Sequence, residues 1–179
     1  MFLLGLGAKI AIIVSASIVG LWLLALLINL IFVYSFSSIF KKHKKMIPVI
    51  LYTKYDNLKS IAKILQQSGI DVDKRLVALL EDISPRDFEE PGSEQFTKAK
   101  NTLTYLKDEL MFAASAHPEL SGDDEFEQAK RNIVDADTLY RNTVMMYNAD
   151  VLGYNYWIRF LPCRFIFKMF KVKKKVIIS

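Results

Sequence analysis

Two histidines, a single cysteine and a run of carboxylates are the side chains through which this 179-residue chain could do acid–base, nucleophilic or metal chemistry. His43 sits inside a lysine cluster and His117 precedes Pro118, and neither has a second ligand one helical turn away. With no HExxH or CxxC beside them, no zinc site can be drawn. Cys163 lies in a basic, aromatic stretch with no histidine nearby to take its proton, so nothing activates it as a nucleophile. Glu119, Asp123, Asp124, Glu125 and Glu127 crowd one stretch, with Asp135 and Asp137 beyond it. They lack a calcium-loop pattern and the Glu-x-x-His pairs of a di-iron bundle. Acids in the first turn of a helix, where its dipole favours them, explain the cluster more simply. Neither a GxGxxG nor a GKS/T phosphate loop is present. The expectation is a chain with no catalytic residue, no metal and no cofactor.

The element that positions everything else is residues 10–40, which hold no ionisable acid or base before Lys41, Lys42, His43, Lys44 and Lys45. As a helix it would be ~46 Å long, against a hydrocarbon core of ~30 Å that needs ~20 apolar residues. It is too long for the apolar core of a signal peptide, and ends in Phe and Lys rather than a small-residue cleavage site. The lysines place the following body in the cytoplasm and the N-terminus outside. This predicts a single-pass protein of the cell membrane, in contact with the bilayer through residues 10–40. Asn29 is the strongly polar side chain of the span and is suited to bonding a second helix. Gly7, Ala11 and Ser15, and likewise Ala16 and Gly20, recur at four-residue spacing, a pattern compatible with a homo-oligomer.

Charge is divided along the chain. All 19 acidic residues, but 12 of the 24 basic ones, lie from Lys54 to Asp150, a surplus of seven negative charges in a protein of net charge +5. An acidic body between two basic segments suits a domain held near an anionic membrane surface; topogenic lysines and a solvated tail would leave the same pattern. Despite a pI of 9.2, this distribution argues against a nucleic-acid partner.

Helical periodicity fills the body. Leu51, Tyr55, Leu58, Ala62 and Leu65 share a stripe that follows Pro48, expected to bend or restart the helix, and precedes a glycine stop at Gly69. Val72, Leu76, Leu79, Leu80 and Ile83 mark a short second helix from about Asp71. Residues 84–93 form a polar connector in which Ser84 and Asp87 cap a single turn. Phe96, Ala99, Leu103, Leu106, Leu110 and Ala113 define the third helix. Ser121 with Asp124 reads as an acidic capping box for the fourth. There Phe126, Ala129, Ile133, Ala136, Tyr140, Val144, Tyr147 and Val151 keep helical spacing. No strand alternation occurs. The fold class is all-α: a short outside N-terminus and a transmembrane helix over residues 1–40, an up-and-down antiparallel bundle of about four helices over 41–155, and a basic aromatic tail over 156–179. Such a bundle returns its fourth helix toward the membrane. Lys41, Lys42, Lys44, Lys45, Trp157, Arg159, Arg164, Lys168 and Lys171 are then the membrane-interface candidates. The alternative is that the tail's aromatics, Trp157, Phe160, Phe165, Phe167 and Phe170, only cover the bundle end.

The turn and helix entry MFAASAHPELSGDDEFEQAK (111–130), the stretch IVDADTLYRNTVMMYN (133–148) and the ending RFLPCRFIFKMFKVKKK (159–175) together resemble the LemA family of bacterial membrane-anchored proteins. Within 133–148, Tyr140, Asn142, Val144, Tyr147 and Asn148 carry the likeness, and KKMIPVIL (44–51) resembles the family's basic Ile-Pro motif. The resemblance implies a helical bundle on the inner side of the membrane and brings no enzyme activity or catalytic residues. It also implies association with membrane quality-control proteins. The expected function is therefore a non-enzymatic membrane-anchored interaction protein, with Asn142 and Asn148, then Tyr140 and Tyr147, as partner-binding candidates. Core packing is the competing role for the two tyrosines. A membrane-surface or envelope-stress sensor reading anionic lipid is the alternative.

Overall fold

The computed structural model describes residues 5–160, 164–169 and 171–178. Cys163, Phe170 and the Phe165 side chain, all named above, lie outside the described residues. Those described form five α-helices and no strand. The helices are α1 (Leu6–Gln67), α2 (Lys74–Asp82), α3 (Glu94–Ser115), α4 (Asp124–Trp157) and α5 (Arg164–Met169), with 3₁₀ turns at Pro85–Phe88 and Pro118–Gly122.

α1 is one helix of 62 residues that continues through Pro48, where the sequence predicts a bend or restart. Proline has no N–H to give the Lys44 carbonyl, which costs ~3 kcal/mol in a helix interior. Beside it Ile47, Ile50 and Leu51 are 0%, 5% and 3% exposed. Burial of such side chains is worth ~1.5–3 kcal/mol each, and together they outweigh the lost bond.

The helix ends follow local chemistry. At the end of α1, Gly69 adopts φ +74°. The Ile70 N–H then reaches the Leu65 carbonyl at 3.0 Å and the Gly69 N–H reaches Gln66 at 3.1 Å, a Schellman closure. α2 starts later than expected because Asp73 caps it, accepting from the Arg75 N–H at 2.8 Å. The Ser84 N–H donates to Asp87 at 2.8 Å around the expected single turn, but that connector also buries Phe88. Ser93 caps α3. The cap of α4 is Asp123, whose Oδ1 accepts from Glu125 and Phe126 at 2.8 and 3.0 Å. Ser121 does not take that role because it lies inside the Pro118–Gly122 turn, which buried Leu120 anchors.

The chain divides into two compact units, Met1–Phe40 with Ala149–Val176, and Lys41–Asn148 with Ile177–Ser179. In the second, α1 buries Leu51, Leu58, Ile61 and Leu65, α3 buries Phe96, Leu103, Leu106 and Leu110, and α4 buries Phe126, Ile133 and Tyr147. Lys54 meets Asp137 while Asn57 meets Asn132. The numbers rise on α1 and fall on α4, so the two helices run antiparallel.

In the first unit, every α1 side chain from Ile10 to Leu24 is exposed. A covered side begins at Leu26 and recurs at Asn29, Val33, Phe36 and Phe40. The end of α4 lies on it. Phe32 stacks on Trp157 at 4.5 Å, and Phe40 meets Tyr154 edge-on at 5.5 Å. Gly153 makes room for the Phe36 ring, because a Cβ there would stand 2.7 Å from Phe36 Cε1.

Candidate functional site

α1 is long and apolar enough to cross a membrane. Tyr34 is exposed on the same helix, and Asn29 is 1% exposed with its Nδ2 3.1 Å from the Trp157 carbonyl. The tail candidates sit in the unit that holds the apolar residues 10–40. Trp157 is half-buried by its stack on Phe32, while Arg159, Arg164, Lys168 and Lys171 are exposed. Phe160 is exposed and Phe167 is buried. Lys41, Lys42 and Lys45 are exposed at the start of the other unit, and Lys44 is half-buried there.

α4 positions the four partner-binding candidates, and its 3.6-residue turn separates them. Tyr147 is buried and Tyr140 half-buried, and desolvation pushes both phenols up. The Tyr140 hydroxyl is buried without a hydrogen-bond partner. Asn142 is exposed, with Leu139, Met145 and Met146 exposed one turn to either side. Asn148 is engaged within the chain. Its Nδ2 donates to the Ile178 carbonyl and its Oδ1 accepts from the Ile178 N–H, each at 2.8 Å.

A charged cluster that the sequence reading missed lies inside the helical body. Lys54 is 4% exposed and occupies the buried stripe of α1 between Leu51 and Leu58. Its Nζ is 2.7 Å from Asp137 Oδ1 on α4, and Lys107 Nζ of α3 is 3.0 Å from Asp137 Oδ2. Partial burial raises the Asp137 carboxyl, and hydrogen bonds from Lys54 and Lys107 more than reverse this, holding it below the usual range. The available signal was a lysine seven residues after Ile47 and seven before Ile61, in step with an apolar repeat.

Other chemistry-bearing side chains are dispersed. His117 Nδ1 pairs with Glu119 Oε1 at 2.8 Å on an exposed turn. Glu119 sits below the ordinary carboxylate range through its own backbone N–H and then His117. Asp124, Glu125 and Glu127 occupy the first turn of α4. Among the described residues no three metal-ligating side chains converge. An open groove lined by Asn57, Ser60, Lys63, Gln128 and Asn132 is bridged by the Asn132–Asn57 hydrogen bond at 3.0 Å.

Comparison with curated proteins and with solved structures returns no match. A sequence model of the LemA family matches residues 49–179. That range opens inside the Ile-Pro segment and takes in α2, α3, α4 and the Ile178 contact. The chain belongs to the LemA family.

Proposed function

We propose that this protein is a non-enzymatic, single-span membrane-anchored interaction module, which holds its helical body at the cytoplasmic face and binds a protein partner there. The observation that carries the reading is the apolar collar around Asn142, where Leu139, Met145 and Met146 are 48%, 63% and 50% exposed. Contiguous exposed apolar surface marks an interaction site, and methionine suits an adaptable one. Anchoring is supported by the exposed run Ile10–Leu24, which continues into residues 25–40, and orientation by the lysines that follow. The polar side chains suited to chemistry hold the fold instead: Asp137 is spent on two lysines and Asn148 on a main chain.

A photo-crosslinker at position 142 in native membranes should give adducts with another protein, whereas one at Glu81 on α2 should give few. Self-adducts alone from position 142 would overturn the reading.

A second reading, a sensor of anionic lipid, is favoured by the exposed Arg159, Arg164, Lys168 and Lys171 in the unit that carries the span. Hydrogen exchange over residues 164–175 should slow in anionic relative to zwitterionic nanodiscs, and salt should reverse the effect. Equal exchange in both lipids rejects it.

A further inference from the structure

The segment Val172–Ile178 has no regular secondary structure, yet asparagines of α4 hold it in two places by the same geometry. In the unit built on Lys41–Asn148, Asn148 donates to the Ile178 carbonyl and accepts from the Ile178 N–H, both at 2.8 Å. In the unit built on the span, Asn155 donates to the Lys175 carbonyl at 2.8 Å and accepts from its N–H at 2.9 Å. A carboxamide offers one donor edge and one acceptor edge, which matches the N–H and C=O of a single residue in an extended chain. These bonds read main chain alone, and every residue except proline can supply them.

From Lys173 onward, side-chain selection is confined to one position. Lys173, Lys174, Lys175, Val176 and Ile177 are exposed, with Val176 at 79%, whereas Ile178 is 4% exposed. Ile178 lies beside Gly92, where φ is +94° and an added Cβ would stand 4.0 Å from Ile178 Cγ1. Main-chain hydrogen bonds for affinity and one pocket for an alternate side chain are the elements of extended-peptide recognition. A segment outside regular secondary structure, held by two asparagines and the buried Ile178, also opens more readily than the helices beneath it.

We propose that Asn148 and the Ile178 pocket form a peptide clamp whose resident occupant is exchangeable. A partner engages it through an extended segment that places one branched apolar residue, with a free amide N–H, where Ile178 now sits. This rests on the partner-binding reading above and names the chemistry of the partner. Flanking sequence is unconstrained, and proline is excluded at the anchored position because it lacks the donor.

The test uses the full chain in nanodiscs and fluorescent eight-residue peptides of serine and threonine with one central isoleucine, read by anisotropy. A tethered occupant competes at an effective concentration on the order of millimolar. Releasing it with Ile178→Asp should therefore tighten peptide binding at least about ten-fold. Shuffling the flanking residues should change affinity by less than about three-fold, while N-methylating the isoleucine amide should weaken it by more than about ten-fold. Asn148→Leu in the Ile178→Asp background should abolish the gain. Equal binding by the wild type and Ile178→Asp, or indifference to N-methylation, overturns the clamp. Should Ile178→Asp lose its helical circular dichroism, hydrogen exchange of the wild type decides. The Ile178 amide should exchange at least about ten-fold faster than that of Ile133 in α4, and one as slow as Ile133 overturns the proposal. A partner retained equally by the wild type, Ile178→Asp and Asn148→Leu overturns the clamp alone. No partner in any of the three overturns the interaction reading beneath it.

Discussion

The Asn29 amide donates to the main-chain carbonyl of Trp157 at 3.1 Å, across 128 positions of sequence. Trp157 is the last residue of α4, and its carbonyl also accepts from the Phe160 N–H at 3.2 Å in the turn that closes the helix. The apolar stretch of α1 thus adds a second donor at the end of another helix. The arrangement is imperfect, because Asn29 Oδ1 is buried without a partner. Asn29→Leu should therefore stay within about 1 kcal/mol of the parent, since the lost bond and the removed orphan oppose each other. Asn29→Asp keeps no amide donor and should be far more damaging. Tryptophan emission during denaturation of the detergent-solubilised chain reads both, and equal effects would refute the assignment.

Removing either end of the Lys54–Asp137 contact should have unequal consequences. Asp137→Asn leaves the 4%-exposed Lys54 without a counter-charge. The expected loss is about 2 kcal/mol, below the usual cost for a fully buried pair because Asp137 retains some solvent contact. Lys54→Met keeps length, removes the buried charge and leaves Asp137 paired with Lys107. It should be neutral or stabilising. Chemical denaturation of the two variants checks the order, and a larger loss for Lys54→Met contradicts it.

The same carboxyl sets an acid dependence. Its folded-state value lies below the ordinary one, so its contribution is complete above the unfolded-chain value of ~3.9. It disappears as pH falls through the lower, folded value, because the unfolded state then binds the proton more tightly. The melting temperature should fall more steeply below about pH 4 in the parent than in Asp137→Asn. Parallel curves for the two proteins would count against the contact.

Gly153 and Phe36 form a size-matched pair. A Cβ at 153 would sit 2.7 and 2.8 Å from two ring carbons of Phe36, so Gly153→Ala should destabilise by about 1–3 kcal/mol from overpacking. In a Phe36→Leu background the clash is gone and only the helix propensity of alanine remains, a gain of up to ~1 kcal/mol. The sign of the Gly153→Ala effect should therefore reverse between backgrounds. A double-mutant cycle with no coupling would show that the two do not touch.

Much of this architecture was legible because its causes are local. The Phe96–Leu110 stripe of α3 is periodic in the sequence and buried in the structure, as are Phe126, Ala129, Ile133, Ala136 and Tyr147 of the α4 stripe. Gly69 announces the end of α1 because few other residues accept φ +74° at low cost. The misreadings have distant causes. Pro48 looked like a break, but the burial of Ile47, Ile50 and Leu51 overrides it. Nothing local announces the ion pair of Lys54, because its partner lies 83 positions away. Asn148 was expected to meet a partner, whereas it holds a segment of its own chain 30 residues later, one that carries no periodic signal.

The buried Lys54 also acts as an address. Sliding α1 by one heptad against α4 would set Ile47 or Ile61, both 0% exposed, opposite Asp137. Apolar side chains would still meet apolar side chains almost everywhere, so hydrophobic burial alone would hardly penalise the mistake. The displaced ammonium, however, would be stranded in the interior with no carboxylate in reach, at a cost of several kcal/mol. One lysine thereby converts a repeating, slippable seam into a single alignment.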